Sequence, residues 1–158
     1  MASTPPAPSA IRTLPSWLLG RAAARGRALV ADALIREGLK MWHHVVLSAV
    51  ADLGPVAQAE LGRSVSLDPK DMVGVLNDLQ ADGLVERAPD PRDRRKNAIT
   101  ITARGRRTVE RCTEAAARAN AELLAPLSAA ERERFLEMLG RISGVGTPEA
   151  EAVGPAEG

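Results

Sequence analysis

One stretch constrains the fold more than any other: residues 84–107, LVERAPDPRDRRKNAITITARGRR. Ala98–Thr102 alternates, with Ile99 and Ile101 on one face and Thr100 and Thr102 on the other, as a half-buried strand does. Leu84–Arg87 is a second, shorter and partly apolar segment. Between them Ala88-Pro89-Asp90-Pro91 is expected to break regular structure, because proline cannot donate to a ladder. Arg92–Lys96 is a dense run of charge. Two strands this close, joined by a loop too long for a tight turn, are expected to pair as an antiparallel hairpin with a basic tip. Thr102 is placed to cap the helix that follows. The stretch holds eight Arg and Lys against three acids, a net of +5, whereas the whole chain is only +1. Positive charge gathered on a protruding hairpin suits nucleic-acid phosphates or a minor groove. A solvated, salt-bridged hairpin is the plainer alternative.

Upstream the pattern is helical. Ser16 is expected to cap a first helix running to about Glu37, where Gly38 stops it. Its stripe is Leu19, Ala22, Ala23, Gly26, Val30, Ala33 and Leu34. A second helix spans about 41–53 and ends at Gly54-Pro55, with Val46, Leu47 and Val50 inward. A short third covers about 56–63, with Ala59 and Leu61 toward the core, and residues 64–67 form a turn. Asp68-Pro69-Lys70-Asp71 is a strong start for a fourth helix, to about Ala81. Met72, Val73, Leu76 and Leu79 are its expected buried face, and Asp82-Gly83 ends it. A fifth helix runs from about Ala103 to Leu124, with the stripe Val109, Cys112, Ala116, Ala119 and Leu123. Ser128 with Glu131 is a capping box that opens a sixth, to about Ile142. No internal repeat is visible.

The fold class follows: mostly α (α+β), a winged helix-turn-helix with extra N- and C-terminal helices and a two-stranded wing. Residues 14–143 are expected to form a single domain, with residues 41–102 as the DNA-binding lobe. Residues 14–40 and 103–143 are expected to supply dimerisation helices, since their small-residue stripes suit close helix packing; an intramolecular three-helix pack is the plainer alternative. Residues 1–13, rich in Ser, Pro and Ala, and 144–158, rich in Gly, Pro and Glu, are expected to be disordered tails. In such a lobe the helix from Asp68 enters a major groove by its amino-terminal end, and the wing flanks the groove. The candidate contacts are Gln58, Ser64, Ser66, Lys70 and Asn77, with Arg92, Arg94, Arg95 and Lys96 on the wing.

The segment LGPVAQAELGRSVSLDPKDMVGVLNDLQADGLVERAPDPRDRRKNAITITARG resembles the core of the multiple-antibiotic-resistance regulator (MarR) family. The most specific parts are LQADGLVERAPDPRDRR and ITITARG, and the similarity is close over about residues 40–110. It implies a homodimer on a palindromic double-stranded operator, with a wing arginine after an Asp in the minor groove. It also implies an Asp–Arg pair that steadies the wing: Asp93 with Arg94 or Arg95, and Asp90 with Arg92 as a further pairing. Family members often sense small anions or phenols between the dimer helices and the DNA-binding lobe. The candidates here are Trp17, Arg25, His43, His44 and Cys112. Each has a plainer role. Trp17 and Trp42 suit a core or interface. His43 and His44 point about 100° apart on a helix and chelate one metal poorly. Cys112 lies on an apolar stripe, where an inert thiol is the default.

One feature runs against the pattern. Residues 68–82 carry four Asp against Lys70 alone, a net of −3, which is poor for phosphates. Asp68 and Asp71 are occupied in capping on the simpler view, and affinity then leans on the wing. The competing view is a winged-helix protein–protein module that no longer reads DNA. An enzyme is not expected: there is no nucleophile–base pattern, no Gly-rich phosphate loop and no metal motif. Neither a cofactor nor a metal is called for. With one cysteine there is no disulfide framework. No signal peptide and no apolar run of about 20 residues is present, so a soluble cytoplasmic protein is expected, with no membrane partner.

Overall fold

The computed structural model describes residues 9–94 and 97–144. Within them the elements are α1 (Pro15–Arg36), α2 (Met41–Leu53), α3 (Gln58–Val65), α4 (Pro69–Ala81), β1 (Val85–Pro89), β2 (Asn97–Ile101), α5 (Ala103–Leu123) and α6 (Ala129–Ser143). The chain divides into two compact units at Asn120. The expected tails fall mostly outside the described residues, as do Arg95 and Lys96.

The first unit is built around α4. Asp68 accepts a hydrogen bond from the Lys70 backbone N–H at 2.8 Å, and Pro69 takes N1, where its missing donor costs nothing. Met72, Val75, Leu76 and Leu79 are buried. Val73, expected in the core, is 44% exposed, and Val75 takes its place. Position 73 stands about 100° round from Met72, and the core lies on the other side. The helix ends in a Schellman pair: Leu84 N–H donates to Leu79 O and Gly83 N–H to Gln80 O. Gly83 has φ +69°, which a glycine adopts without Cβ strain. Leu84 is thereby buried, and β1 starts at once.

β1 and β2 pair antiparallel, Val85 opposite Ile101 and Pro89 opposite Asn97. The expectation that Pro89 breaks the strand is corrected: it closes β1 at the sheet edge, where no ladder donor is needed. Ala98, Ile99 and Ile101 are buried, and Thr100 is half-buried. Val56 and Ile99 exchange backbone hydrogen bonds of 3.1 and 2.8 Å. Val56 therefore belongs to the sheet, and α3 begins two residues later than expected. Ala59 is exposed, and Leu61 alone of α3 is fully buried.

Thr102 does cap α5: its Oγ1 accepts from Gly105 N–H at 3.0 Å and donates to Gly83 O at 2.8 Å. A Cβ at Gly105 would stand 2.1 Å from Leu84 O, so α5 leaves the sheet this closely only with glycine there. The buried face of α5 is Gly105, Thr108, Cys112, Ala115 and Ala119. It thus runs along Ala115 rather than the expected Ala116, and Val109 packs half-buried against the core.

α1 corrects one cap. Leu14 is its N-cap with no side-chain hydrogen bond, and Ser16 lies inside the helix. Leu34 is its only buried residue, while Leu14, Leu18 and Ile35 are exposed. In the second unit, Ser128 and Glu131 form the expected capping box, with Ser128 N–H donating to Glu131 Oε2 at 2.8 Å. Those bonds hold the Glu131 carboxyl below its ordinary pKa. α6 has no buried residue, and Leu136, Met138 and Ile142 are exposed.

Candidate nucleic-acid interface

Two side chains tie α4 to its neighbours, one on each flank. On the wing side Arg87 of β1 donates through one guanidinium amine to Asn77 Oδ1 at 3.1 Å and through the other to Gln80 Oε1. On the opposite flank His43 Nε2 and Asp78 Oδ2 of α4 are 2.9 Å apart. Between these ties α4 presents Lys70, Gly74 and Asn77 to solvent.

The same contacts account for much of the negative charge on α4. Asp68 is spent in capping its own helix. Asp78 is engaged by His43. Asp71 lies in the first turn, where the helix dipole favours a carboxylate. Asp82 is the C-cap, at the far end from the entering turn.

Of the proposed contacts from the lobe, Lys70 and Asn77 share the exposed face of α4, and Asn77 is already held by Arg87. Ser66 sits in the turn in a left-handed conformation, φ 53°, and is exposed. Ser64 is otherwise engaged: its hydroxyl donates to Leu61 O at 2.8 Å within its own helix. Gln58 opens α3, half-buried, at the edge of a cleft of about 560 Å³ with Arg63, Leu67 and Met72.

On the wing Asp90 is 6% exposed. It accepts from the Arg92 backbone N–H at 2.8 Å and lies 3.6 Å from the Arg92 guanidinium Nε. The carboxylate thus folds the tip back on itself, and the Arg92 side chain stays mostly in solvent. Arg94 is exposed, and Asp93 is half-buried.

The small-molecule candidates are scattered. Trp17 is half-buried on α1, with the Arg21 guanidinium 5.8 Å from its ring centroid. Arg25 is exposed and lies two turns further along α1, about 12 Å from Trp17. His44 is half-buried, and burial lowers its pKa. Cys112 is buried, and its thiol pKa is raised, first by burial and then by Glu37, against the opposing pull of Arg111. That argues against a reactive thiolate.

His43 is the candidate that lines a cleft beside α4. This cleft holds about 510 Å³ and includes Lys40, Trp42, Lys70 and Gly74. Trp42, expected as a core or interface aromatic, is 47% exposed there. Sequence reasoning missed Trp42, Gln80 and Arg87 as site residues. Arg87 entered only as one more charge, because nothing local marks which amides a strand arginine meets.

With this geometry in view, comparisons with known proteins converge. The sequence model of the MarR family matches residues 37–96. The transcriptional repressor NicR of Pseudomonas putida is 30% identical over 125 residues, 79% of each chain. The repressor Rv2887 of Mycobacterium tuberculosis is 33% identical over 126 residues, 80% of this chain and 91% of that protein. Its crystal structure in complex with DNA superposes with a TM-score of 0.69, at 33% identity, over 81% of this chain and 96% of that one. Rv2887 also has a structure with p-aminosalicylic acid, at 32% identity and a TM-score of 0.67, covering 82% and 98%. BpsR of Bordetella bronchiseptica, whose DNA binding is regulated by 6-hydroxynicotinic acid, matches at 28% identity and a TM-score of 0.69, over 88% and 99%.

Proposed function

The chain belongs to the MarR family of transcriptional regulators, and we propose from that premise that it is a homodimeric repressor. It binds a palindromic operator in the bacterial cytoplasm and leaves it when a small effector binds. α4 reads the major groove through Lys70 and Asn77, and Gln58 and Ser66 flank it. Arg92, Arg94, Arg95 and Lys96 serve the wing, with Asp90 and Asp93 steadying it. One observation carries the reading: α4 is held on both flanks, by Arg87 and by His43, while its outer face stays open beside a basic wing. A helix fixed this way is pre-organised for a groove. Among the described residues no helix is long and apolar enough to cross a membrane.

The protein-interaction reading drew its support from the acids of α4. Two of the four are engaged within the chain, so that support is weak. For the effector we infer an aromatic acid, the chemistry to which Rv2887 and BpsR point. Trp42 offers a ring face, and Lys40 and Lys70 a carboxylate partner, beside the reading helix.

The deciding experiment is a salt series of binding to DNA upstream of the protein's own gene. Wild type is compared with Arg94→Ala/Arg95→Ala. Saturable binding that falls steeply with salt is expected. The slope should be shallower in the variant, by about 0.9 for each phosphate that the wing no longer neutralises. Binding no better than to random DNA, with or without aromatic acids, overturns the reading.

A further inference from the structure

The outer face of α4 carries two residues that folding does not ask for. Val73 is 44% exposed there, next to the buried Met72. Gly74 follows it, and a Cβ built on Gly74 meets nothing within 4 Å, so no close packing requires a glycine. Glycine weakens a helix relative to alanine, and on an open face it lets another surface approach the backbone. Asn77 lies one turn beyond Val73 on the same side, exposed. Its amide is not free to turn. Arg87 has only N–H donors, so the Asn77 oxygen and not its nitrogen must face the guanidinium, at 3.1 Å. The other guanidinium amine holds Gln80 Oε1 in the same way. Both donors of Asn77 Nδ2 are left over, and among the described residues no acceptor meets them.

We propose that Arg87, by fixing this amide, makes Asn77 a reader of guanine, and that Val73 beside it reads the methyl group of a thymine. The inference rests on the reading that α4 enters a major groove, and it names what the helix recognises there. A free asparagine pairs with adenine through both ends of its amide: the nitrogen donates to N7 and the oxygen accepts from N6. With Oδ1 turned to the wing, Asn77 offers a base edge its N–H groups alone. Guanine presents two acceptors in the major groove, N7 and O6, and no donor. Adenine sets its N6 amino group against the Asn77 N–H groups, and cytosine its N4 amino group, so guanine is favoured. Val73 has no polar atom to offer. Its methyl groups suit the one apolar group in the groove, the C5-methyl of thymine. The missing side chain at Gly74 leaves room for the duplex to come near enough for both contacts. Four residues of helix rise about 6 Å, close to two base-pair steps of about 3.4 Å, so the two bases stand about two pairs apart in each half-site.

The test is competition binding of the full-length protein on the operator upstream of its own gene, with each base pair of both half-sites exchanged symmetrically for every alternative. Asn77→Ala identifies the position that Asn77 reads, as the one whose preference it abolishes. In wild type that position should favour guanine over adenine by about tenfold. A deaza analogue of guanine that lacks the N7 acceptor should weaken binding there. Arg87→Met keeps the aliphatic stem and removes every donor. It should turn the preference at this one position from guanine toward adenine. About two pairs away, deoxyuridine in place of thymine removes only the methyl group and should weaken wild type by about fourfold. Val73→Ser should bind the thymine and deoxyuridine operators alike. An adenine preference at the Asn77 position in wild type, a guanine preference that survives Arg87→Met, or no position flattened by Asn77→Ala overturns the amide reading. Equal binding of the thymine and deoxyuridine operators by wild type overturns the Val73 contact. Wild type that binds no DNA better than random sequence overturns the repressor reading, and this inference with it. Sequence-specific binding accompanied by any of the earlier failures overturns this inference alone.

Discussion

Arg87 separates positioning from contact at the residue scale. Both of its amines are engaged on α4, so its replacement frees Asn77 and Gln80 without removing a side chain proposed to touch a base. Arg87→Ala should narrow the preference for operator over random DNA by about tenfold, the equivalent of one mismatched base pair. The salt slope should stay as in wild type, since that slope counts phosphate contacts. Competition binding across a salt series reads both quantities, and a lowered slope would make Arg87 a phosphate contact instead. His44 supplies a pH dependence. Burial lowers its folded pKa below the ordinary value of 6.5, so the unfolded chain takes the proton first. Its contribution is fully present above about pH 6.5 and is lost as pH falls from there through the folded pKa. Thermal melts from about pH 7.5 down to about pH 5 should therefore show a decline in wild type that His44→Gln flattens.

At the scale of the element, the caps make the sharpest contrast. Asp68→Ala removes an acceptor that α4 uses and should cost about 1 kcal/mol in denaturant unfolding. Ser16→Ala should cost nothing measurable, because Leu14 and not Ser16 stands at the N-cap of α1. Equal losses in the two variants would contradict the assigned helix starts. The same contrast explains what could be read without coordinates. Asp68-Pro69 and Ser128 with Glu131 act within a few residues, and each forms as expected; β2 buries Ile99 and Ile101 as expected, but Ala98 on the other face is buried as well. Val56 could not be read this way, because its partner Ile99 lies 43 residues away in the chain and the pairing exists only after collapse. Val73 and Val75 are equally apolar, and only the direction of the core chooses between them. The ties from Arg87 and His43 to α4 are likewise products of tertiary placement. The basic wing was legible from charge, while the clefts beside α4 were not, because each gathers residues from separate helices.

For the whole molecule, the uncovered apolar surface bears on assembly. α6 buries none of its residues within the chain, and Ile142 is 71% exposed, with Leu136 and Met138 also bare. α1 likewise leaves Leu14, Leu18 and Ile35 uncovered. Monomeric proteins rarely leave so many large apolar side chains bare along a helix. A second copy of this chain would cover them, and two reading helices on one duplex supply the contact area that one helix lacks. Assembly and operator recognition are then one property. Leu136→Glu buries a charge at the proposed contact and should give a monomer in sedimentation equilibrium, with α4 and the wing unaltered. Its operator affinity should fall to the level of random DNA, about a thousandfold or more below wild type. A monomer that kept operator affinity would uncouple the two. A dimer that survived the substitution would move the contact from α6 to α1, where Leu18→Glu is the corresponding test.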